Sequence, residues 1–285
     1  MKNSTYRVAW VTDIHLNFVW DKERGQFDPE YDEFVEAIHA SNAEAVLVGG
    51  DIAEGPELLW HLDRLAERLS GQKLIFVLGN HDFYRGSISA IRRDVRNHCQ
   101  GRHDLIYLTT ATEPLTLAPG VGLVGHDGWA DGRFGELEWS RAKISDYAYI
   151  EELVAAGEDG RRSILNSLGD EAARHLRAQL LLAFEQFPEI LLLTHVPPWL
   201  EAARYRGQYA DYEYAPHFAS KAIGEAIEEV MSNFPQCQLT VICGHTHERA
   251  THQPLQNVRC LVGKAEYGTP AVEQIFEFKS DVSAP

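Results

Sequence analysis

The first hundred residues alternate between short apolar runs and amphipathic segments. Continuous apolar stretches of this length predict buried strands of a parallel sheet. Between them, apolar residues recur every three or four positions, which predicts helices that face the sheet. The predicted strands are 6–12, 45–48 and 74–78, and the predicted helices are 28–40, 56–69 and 87–98. This order predicts a β-α-β-α-β unit.

The rest of the chain is less regular but contains a second series of strands. Apolar runs predict strands at 121–124, 190–193, 239–243, 258–262 and 272–278, and helices at 163–187 and 220–234. The intervening stretches show no clear period but are rich in aromatic residues. We therefore expect a single domain, 1–285, with specificity insertions at about 126–162 and 197–218. A separate subdomain at 130–175 is the alternative.

Five short blocks of metal-binding residue types lie at the ends of predicted strands. Because the carboxyl ends of parallel strands meet at one edge of a sheet, these side chains can converge. The donors are carboxylate, amide and imidazole groups without thiolate, which suits hard or borderline divalent metals. The blocks are Asp13-Ile14-His15, Gly49-Gly50-Asp51, Gly79-Asn80-His81-Asp82, Thr194-His195 and Gly244-His245-Thr246-His247. Together they predict metal-assisted hydrolysis.

The composition of the chain restricts its binding partners but leaves the reaction at the site open. With 42 acidic and 26 basic residues, the formal net charge is −16, which disfavours extended binding along nucleic acid. A small phosphate ester remains compatible, because bound cations dominate the local field at a metal site. No apolar run approaches the ~20 residues that cross a bilayer, and residues 1–5 do not resemble a signal peptide. We therefore expect a cytoplasmic protein with no membrane partner, whose unpaired cysteine spacing favours reduced thiols over a disulfide framework.

The five blocks, in this order, resemble the calcineurin-like metallophosphoesterases over about residues 6–265. The resemblance implies an α/β fold, a four-layer α/β/β/α sandwich of two mixed β-sheets flanked by helices. It also implies a dinuclear metal site at the carboxyl ends of the strands, occupied by two divalent ions, Mn²⁺ and/or Fe, with Zn²⁺ also compatible. One ion would be held by Asp13, His15, Asp51 and His247, and the other by Asp51, Asn80, His195 and His245.

The same resemblance implies a reaction. Members of the family hydrolyse phosphate esters by in-line attack of a hydroxide that bridges the two metals. His81 would assist at the leaving group, and Glu54 stands where relatives place the acid that orients this histidine. Glutamate is one methylene longer than the aspartate of those relatives, which makes a contact with His81 less secure. Asp82 is expected to bond to the loop backbone.

Departures from better-known branches narrow the expected function. Protein phosphatases of the superfamily carry an arginine and a glutamate where this chain has Gly55 and Asp82. Lipid-precursor pyrophosphatases typically replace the catalytic histidine by arginine, whereas His81 is retained here. A nuclease on single-stranded DNA or RNA needs a basic channel, of which the net charge gives no sign. The sequence therefore favours hydrolysis of a small phosphomonoester or phosphodiester over a nuclease, a protein phosphatase or a non-catalytic scaffold.

The two aromatic insertions are the expected source of substrate specificity. An arginine there could grip a phosphate, and the aromatics could stack on a base or sugar. Packing of these aromatics onto the body of the domain is the alternative. His126 and Trp129 follow a predicted strand and are expected to face the metals. Arg133, Arg141, Arg204 and Arg206 lie within the insertions, and Arg133 and Arg204 are the candidate phosphate ligands. Neither the substrate nor the oligomeric state follows from the sequence.

Overall fold

Two mixed β-sheets form the framework of the computed structural model, which describes residues 5–279. The first sheet has the strand order β15-β1-β4-β5-β6 and the second has β13-β14-β12-β9-β8-β7, and two short hairpins, β2-β3 and β10-β11, complete the list. The strands are β1 (Thr5–Val11), β2 (Trp20–Asp21), β3 (Gln26–Phe27), β4 (Ala45–Gly49), β5 (Lys73–Val77), β6 (Leu105–Tyr107), β7 (Leu115–Ala118), β8 (Val121–His126), β9 (Glu189–Thr194), β10 (Arg204–Tyr205), β11 (Gln208–Tyr209), β12 (Gln238–Cys243), β13 (Ala250–Leu255), β14 (Val258–Val262) and β15 (Gln274–Lys279).

The helices are α1 (Pro29–Ala40), α2 (Leu58–Arg68), α3 (Ile88–Cys99), α4 (Asp146–Tyr149), α5 (Glu151–Phe184), α6 (Ala215–Phe218) and α7 (Lys221–Ser232). Helices α1–α3 cover the outer face of the first sheet, and α5 and α7 cover that of the second. Within α5, Gly157 leaves the helical conformation, with φ 61° and ψ −168°. This conformation is accessible to glycine because it has no Cβ, and it divides α5 into two helical segments.

The hydrophobic core is arranged in three layers. Val8 and Trp10 of β1 pack with Leu193 of β9 between the two sheets. Ala9 and Val11, which point to the other face of β1, pack toward α1–α3. Apolar residues of β9 and β12 pack against α5 and α7 on the far side of the second sheet. Three core layers separate four structural layers, which confirms the predicted α/β/β/α sandwich of two mixed sheets.

The parallel strands bring the polar blocks to one edge. In the first sheet β1, β4 and β5 are mutually parallel, and in the second sheet β9 and β12 are parallel. Each of these five strands runs into one of the blocks predicted from the sequence. The strand pairing therefore places all five blocks at carboxyl strand ends.

Most predicted elements agree with the structure to within a few residues, and the differences have local causes. The segment predicted as helix from residue 163 is helical from Glu151, because Gly157 and Gly160 interrupt the apolar period there. The edge strands β6, β7 and β13 were not predicted, since each is short or has an exposed face and therefore lacks a long continuous apolar run. The predicted N-cap residue Asp28 precedes α1, but its side chain makes no capping hydrogen bond.

Some expectations concern the ends of the chain or its surroundings. The expected absence of a signal peptide and the outer limits of the predicted domain involve residues 1–4 and 280–285, which lie outside the described residues. Within residues 5–279, no helix is long and apolar enough to cross a membrane. The free thiols of the protein are Cys99, Cys237, Cys243 and Cys260.

A buried histidine on α2 should make stability depend on pH. His61 lies against Phe27 and Trp60, at centroid distances of 6.0 and 4.8 Å, and burial lowers its pKa to about 4 although Glu57 opposes this. Unfolded histidine titrates near 6.5, so below that pH the unfolded state gains a proton that the folded state does not. The stability from neutral His61 is thus present above about pH 6.5 and is lost as the pH falls toward 4.

The unmodified protein should lose unfolding free energy between pH 7 and pH 5. We expect His61→Leu to lose about 2 kcal/mol less over the same interval, because it has no imidazole to protonate on unfolding. Urea denaturation at each pH measures this difference. His103→Gln, which removes an exposed histidine, serves as the control and should leave the pH dependence unchanged. Identical slopes for the His61 variant and the unmodified protein would contradict the assignment.

Candidate metal centre

The loops at the carboxyl edge hold their polar residues in an unusual backbone conformation. Residues other than glycine rarely adopt positive φ angles, because Cβ then crowds the backbone. In this protein the angle is positive at Asp13 (50°), His15 (41°), Asp51 (51°), His245 (72°) and His247 (58°). Five of the seven predicted metal ligands therefore adopt a strained conformation that the surrounding structure must stabilise.

Asp82 supplies part of that stabilisation. Its carboxylate accepts hydrogen bonds from the backbone N–H groups of Ile52 (2.8 Å), Ala53 (2.9 Å) and Gly79 (2.8 Å). These bonds join the loop after β4 to the loop after β5, as expected for a residue that bonds the loop backbone. A Cβ at Gly50 would lie 2.6 Å from the Gly79 nitrogen, so the two loops approach more closely than any other residue would permit.

Four of the predicted ligands form a first group. One donor atom from each of Asp13, His15, Asp51 and His247 lies within 4.8 Å of all the others. The Nε2 atoms of His15 and His247 are 3.2 Å apart, and His247 Nε2 is 3.4 Å from Asp13 Oδ1. This is the set of residues predicted for one ion, and the arrangement could hold a single divalent cation.

The remaining predicted ligands form a second group next to the first. Asn80 Oδ1 lies 3.0 Å from His195 Nε2 and 2.9 Å from His245 Nδ1. The other ring nitrogens point at backbone carbonyls: His195 Nδ1 at Gly49 and His245 Nε2 at His217, both at 2.8 Å. Because a carbonyl oxygen only accepts, those nitrogens carry the protons. The nitrogens that face Asn80 therefore present lone pairs.

The orientation of the Asn80 amide is fixed by a residue that the sequence did not reveal. Asn80 Nδ2 donates to Asp146 Oδ1 at 2.8 Å, and the Tyr84 hydroxyl donates to the same oxygen at 2.8 Å. The Asn80 oxygen must consequently face the imidazoles of the second group. Two imidazole lone pairs and an amide oxygen thus converge without a proton between them. A bound cation would accept these lone pairs and offset their mutual repulsion, so the residues fit a divalent metal.

The electrostatics of the two groups support the same conclusion. Burial raises the pKa of Asp51, and the charge of Asp13 raises it further. Burial also acts to raise the pKa of Asp13, but the hydrogen bond to His247 and the nearby histidines bring it below the usual value. Burial lowers the pKa of His195 to about 4 and that of His15 well below its usual value. Neutral imidazoles beside buried carboxylates are suitable donors for a metal ion.

We expect Asp146→Ala to weaken binding of one of two metal ions by about 10- to 100-fold, the usual cost of losing a partner that orients a ligand. The reason is that Asn80 loses the acceptor that fixes its amide, while the first group stays intact. Titration with Mn²⁺ by calorimetry measures both sites. Tyr84→Phe removes the hydroxyl that donates to Asp146 and accepts a longer hydrogen bond from Asn80 Nδ2 (3.5 Å), but it keeps the bond between Asn80 and Asp146 and should have a smaller effect. Two unchanged affinities in Asp146→Ala would contradict this role.

His81 lies at the margin of the two groups. Its ring stacks on Tyr84 at a centroid distance of 4.3 Å, and its Nε2 is 4.0 Å from Asp51 Oδ2. Its backbone N–H donates to Asp51 Oδ1 at 2.8 Å. The expected contact with Glu54 is not formed, so that prediction is wrong. The Glu54 carboxylate instead pairs with the exposed Arg85, and within the described part of the chain His81 Nδ1 has no hydrogen-bond partner.

Two residues predicted to face the metals are buried elsewhere, so both predictions are wrong. His126 is enclosed beside His175 of α5, and Trp129 packs in the core against Phe83, with ring centroids 5.6 Å apart. The physical reason is that β8 continues beyond its apolar run and includes His126. Side chains two positions apart share a face of a strand, so His126 points to the same helix-covered side as Val124.

The two arginines that were predicted to bind phosphate also lie away from the cavity at the metal centre. Arg133 forms ion pairs with Asp131 (3.1 Å) and Asp170 (2.8 Å), which hold the first insertion against α5. Arg204 lies over the ring of Tyr209 at 5.2 Å within the β10-β11 hairpin. Neither arginine is among the residues from 5 to 279 that line the cavity at the metal centre.

A cavity of about 710 Å³ opens above the candidate metal centre. Asp51, Asn80, His245 and His247 contribute to its wall, together with residues of both insertions. Tyr267 also lines it, with its ring 4.6 Å from that of His15, although it belongs to neither insertion. No motif marks Tyr267, so nothing in the sequence pointed to it. Arg141, Lys143, Tyr205, Arg206 and Tyr214 also line the cavity, so two of the four insertion arginines named from the sequence lie in its wall.

Comparison with known proteins gives a family and solved structures with a similar fold. Residues 6–249 match the model of the calcineurin-like phosphoesterases. A dimetal phosphatase from Danio rerio has 16% sequence identity and a TM-score of 0.58, covering 96% of this chain and 95% of the other. The protein TT1561 of Thermus thermophilus has 11% identity and a TM-score of 0.53, covering 97% and 99%. Among curated proteins, none matches the sequence.

Proposed function

Since the chain belongs to the calcineurin-like phosphoesterase family, we propose that it hydrolyses a small phosphomonoester or phosphodiester with the help of two divalent metal ions. The convergence of unprotonated donor atoms on two adjacent points carries this proposal. When bound, two such ions supply a nucleophile at neutral pH and neutralise charge on the phosphoryl oxygens. Mn²⁺ and/or Fe would suit the donors, as would Zn²⁺.

Asp51 would bridge the two ions. Its two carboxylate oxygens face different groups, since Oδ1 is 3.5 Å from His195 Nε2 and Oδ2 is 3.8 Å from His15 Nε2. A carboxylate can use both oxygens as ligands, whereas an amide or an imidazole offers one donor to a metal. One ion would be held by Asp13, His15, Asp51 and His247, and the other by Asp51, Asn80, His195 and His245.

His81 would assist at the leaving group. It lines the cavity next to the candidate metal ligands, and a ring nitrogen is free of partners among the described residues. An imidazole in this place can hydrogen-bond to the departing oxygen. Stacking on Tyr84, rather than a carboxylate partner, would keep the ring in position.

The size of the cavity supports a small organic phosphate as the substrate. A volume of about 710 Å³ falls within the range of pockets that enclose small molecules. The insertions at about 126–162 and 197–218 would belong to the same domain and set specificity, because residues of both line this cavity. The free thiols support a reducing compartment such as the cytoplasm.

The test is hydrolysis of bis(p-nitrophenyl) phosphate and p-nitrophenyl phosphate by the purified protein loaded with Mn²⁺. We expect p-nitrophenol release from at least one ester, its loss after chelation, and its return when Mn²⁺ is added. Single-stranded DNA is included to examine the nuclease alternative, which predicts salt-sensitive cleavage. A protein that holds two ions and cleaves neither chromogenic ester would overturn the proposal.

A further inference from the structure

We propose that the two insertions form a binding subsite for a second phosphate group of the substrate, an inference that rests on the proposed function. The subsite consists of Arg141, Lys143 and Arg206, called here the basic wall. All three line the cavity that also contains Asn80 and His245. The substrate class is a small organic compound with two linked phosphate groups. Water attacks one phosphorus atom at the metal centre, the P–O–P bond breaks, and the phosphate held by the basic wall leaves with the bridging oxygen.

The basic wall carries charge that the protein does not neutralise itself. Among residues 5–279, no carboxylate lies within 4.0 Å of a side-chain nitrogen of Arg141, Lys143 or Arg206. Of the other arginines of the first insertion, Arg133 contacts two aspartates, Arg162 contacts a glutamate, and Arg161 lies over the ring of Tyr147. In a chain with a net charge of −16, three unpaired cations at one cavity indicate an anionic ligand.

Arg206 is held at a defined place relative to the metal centre. It occupies the tip of the β10-β11 hairpin, where Arg206 and Gly207 have φ angles of 53° and 76°. The Gly207 N–H donates to both carboxylate oxygens of Glu248, at 3.0 and 2.8 Å. Glu248 directly follows His247 in the chain, so the hairpin tip is attached to a loop of the metal centre.

Arg141 reaches the same cavity from the other insertion. Its backbone N–H donates to the carboxylate of Glu213 at 2.9 Å, and the hydroxyl of the preceding Ser140 donates to the carbonyl oxygen of Glu213 at 2.8 Å. These bonds attach the first insertion to the second. Two segments that are distant in the chain are thus attached at their backbones beside one cavity before any ligand binds, which lowers the cost of bringing their cations to it.

A phosphate group fits this wall better than a neutral ligand. Guanidinium groups bind phosphate oxygens through paired N–H donors, and a lysine adds a point charge. The hydrolysed phosphate would lie at the metal ions, so the basic wall is available for a different group. The rings of Tyr205 and Tyr214 line the same cavity and offer surfaces for a base or sugar. Dinucleoside diphosphates are the simplest compounds that combine these features.

The experiment compares two substrates with the same nucleosides: diadenosine 5′,5′-diphosphate, with two phosphates, and adenylyl-(3′,5′)-adenosine, with one. In the Mn²⁺-loaded double variant R141Q/R206Q, we expect the KM for the diphosphate to rise at least about tenfold while kcat changes less than about twofold. The KM values for the monophosphate and for bis(p-nitrophenyl) phosphate should stay within about twofold. The dissociation constant of the methylene-bridged diphosphate analogue, measured by calorimetry, should rise by the same factor as the KM.

The matched control is R204Q, which removes one positive charge from the same hairpin but outside the cavity wall. It should leave all of these constants within about twofold. An unchanged KM and dissociation constant for the diphosphate compounds in R141Q/R206Q would overturn the subsite, while hydrolysis of bis(p-nitrophenyl) phosphate would still support the proposed function. If no ester is hydrolysed, the proposed function fails, and the dissociation constant of the analogue decides about the subsite alone.

Discussion

Replacing Asp51 with asparagine is expected to lower kcat by at least about 1000-fold, since the change removes charge stabilisation at the reacting phosphate. The two oxygens of this carboxylate face the two groups of candidate ligands, at 3.5 Å from His195 and 3.8 Å from His15. Asparagine keeps one oxygen but places an uncharged N–H₂ group where the other ion needs a donor. The protein should therefore lose at least one of two metal ions.

This variant should still fold, because an asparagine oxygen can accept the backbone hydrogen bond that Asp51 receives from His81. Metal content by mass spectrometry, kcat with bis(p-nitrophenyl) phosphate and circular dichroism together examine the prediction. A folded Asp51→Asn protein that retains two ions and the full rate would show that Asp51 is not the bridging ligand.

Replacing His81 with glutamine is expected to lower kcat by about 100-fold without loss of metal. The residue lies beside the candidate ligands but is not predicted to bind metal, and its ring offers a hydrogen bond to the leaving oxygen. A leaving group whose conjugate acid is weaker than p-nitrophenol needs this hydrogen bond more than p-nitrophenolate does. The loss should consequently be larger for phenyl phosphate than for p-nitrophenyl phosphate.

Glu54→Gln is the matched control for His81. If Glu54 oriented the histidine, as the sequence suggested, this variant would show a similar loss with the same dependence on the leaving group. The structure pairs Glu54 with Arg85 instead, so we expect kcat within about threefold of the unmodified protein. Equal losses for both leaving groups in His81→Gln would contradict assistance at the leaving oxygen.

The candidate metal ligands could be predicted from the sequence because each depends on a local signal. An apolar run such as that of β4 identifies a buried strand, and the residue after its end, Asp51, is thereby placed at an edge of the sheet. Parallel pairing of β1, β4 and β5 then brings Asp13 and Asn80 to the same edge without further information. The parallel pairing of the strands brings together ligands that are far apart in the sequence.

The residues around the metal centre could not be predicted, because they depend on long-range contacts. Asp146 orients Asn80 from 66 positions away and lies in a stretch without periodicity. For His126 the error was one of strand length, since β8 extends to this residue and its side chain is buried toward α5. The role of Arg133 was mispredicted because the sequence does not show that this arginine forms ion pairs with Asp131 and Asp170.

A dinuclear centre requires two metal ions side by side with the Asp51 carboxylate between them. Anomalous diffraction from crystals soaked in Mn²⁺ measures this directly. We predict two peaks about 3.5–4 Å apart. One should be surrounded by Asp13, His15 and His247, and the other by Asn80, His195 and His245. A map without anomalous peaks, with the imidazoles turned away from one another, would contradict the dinuclear centre and the hydrolytic function proposed from it.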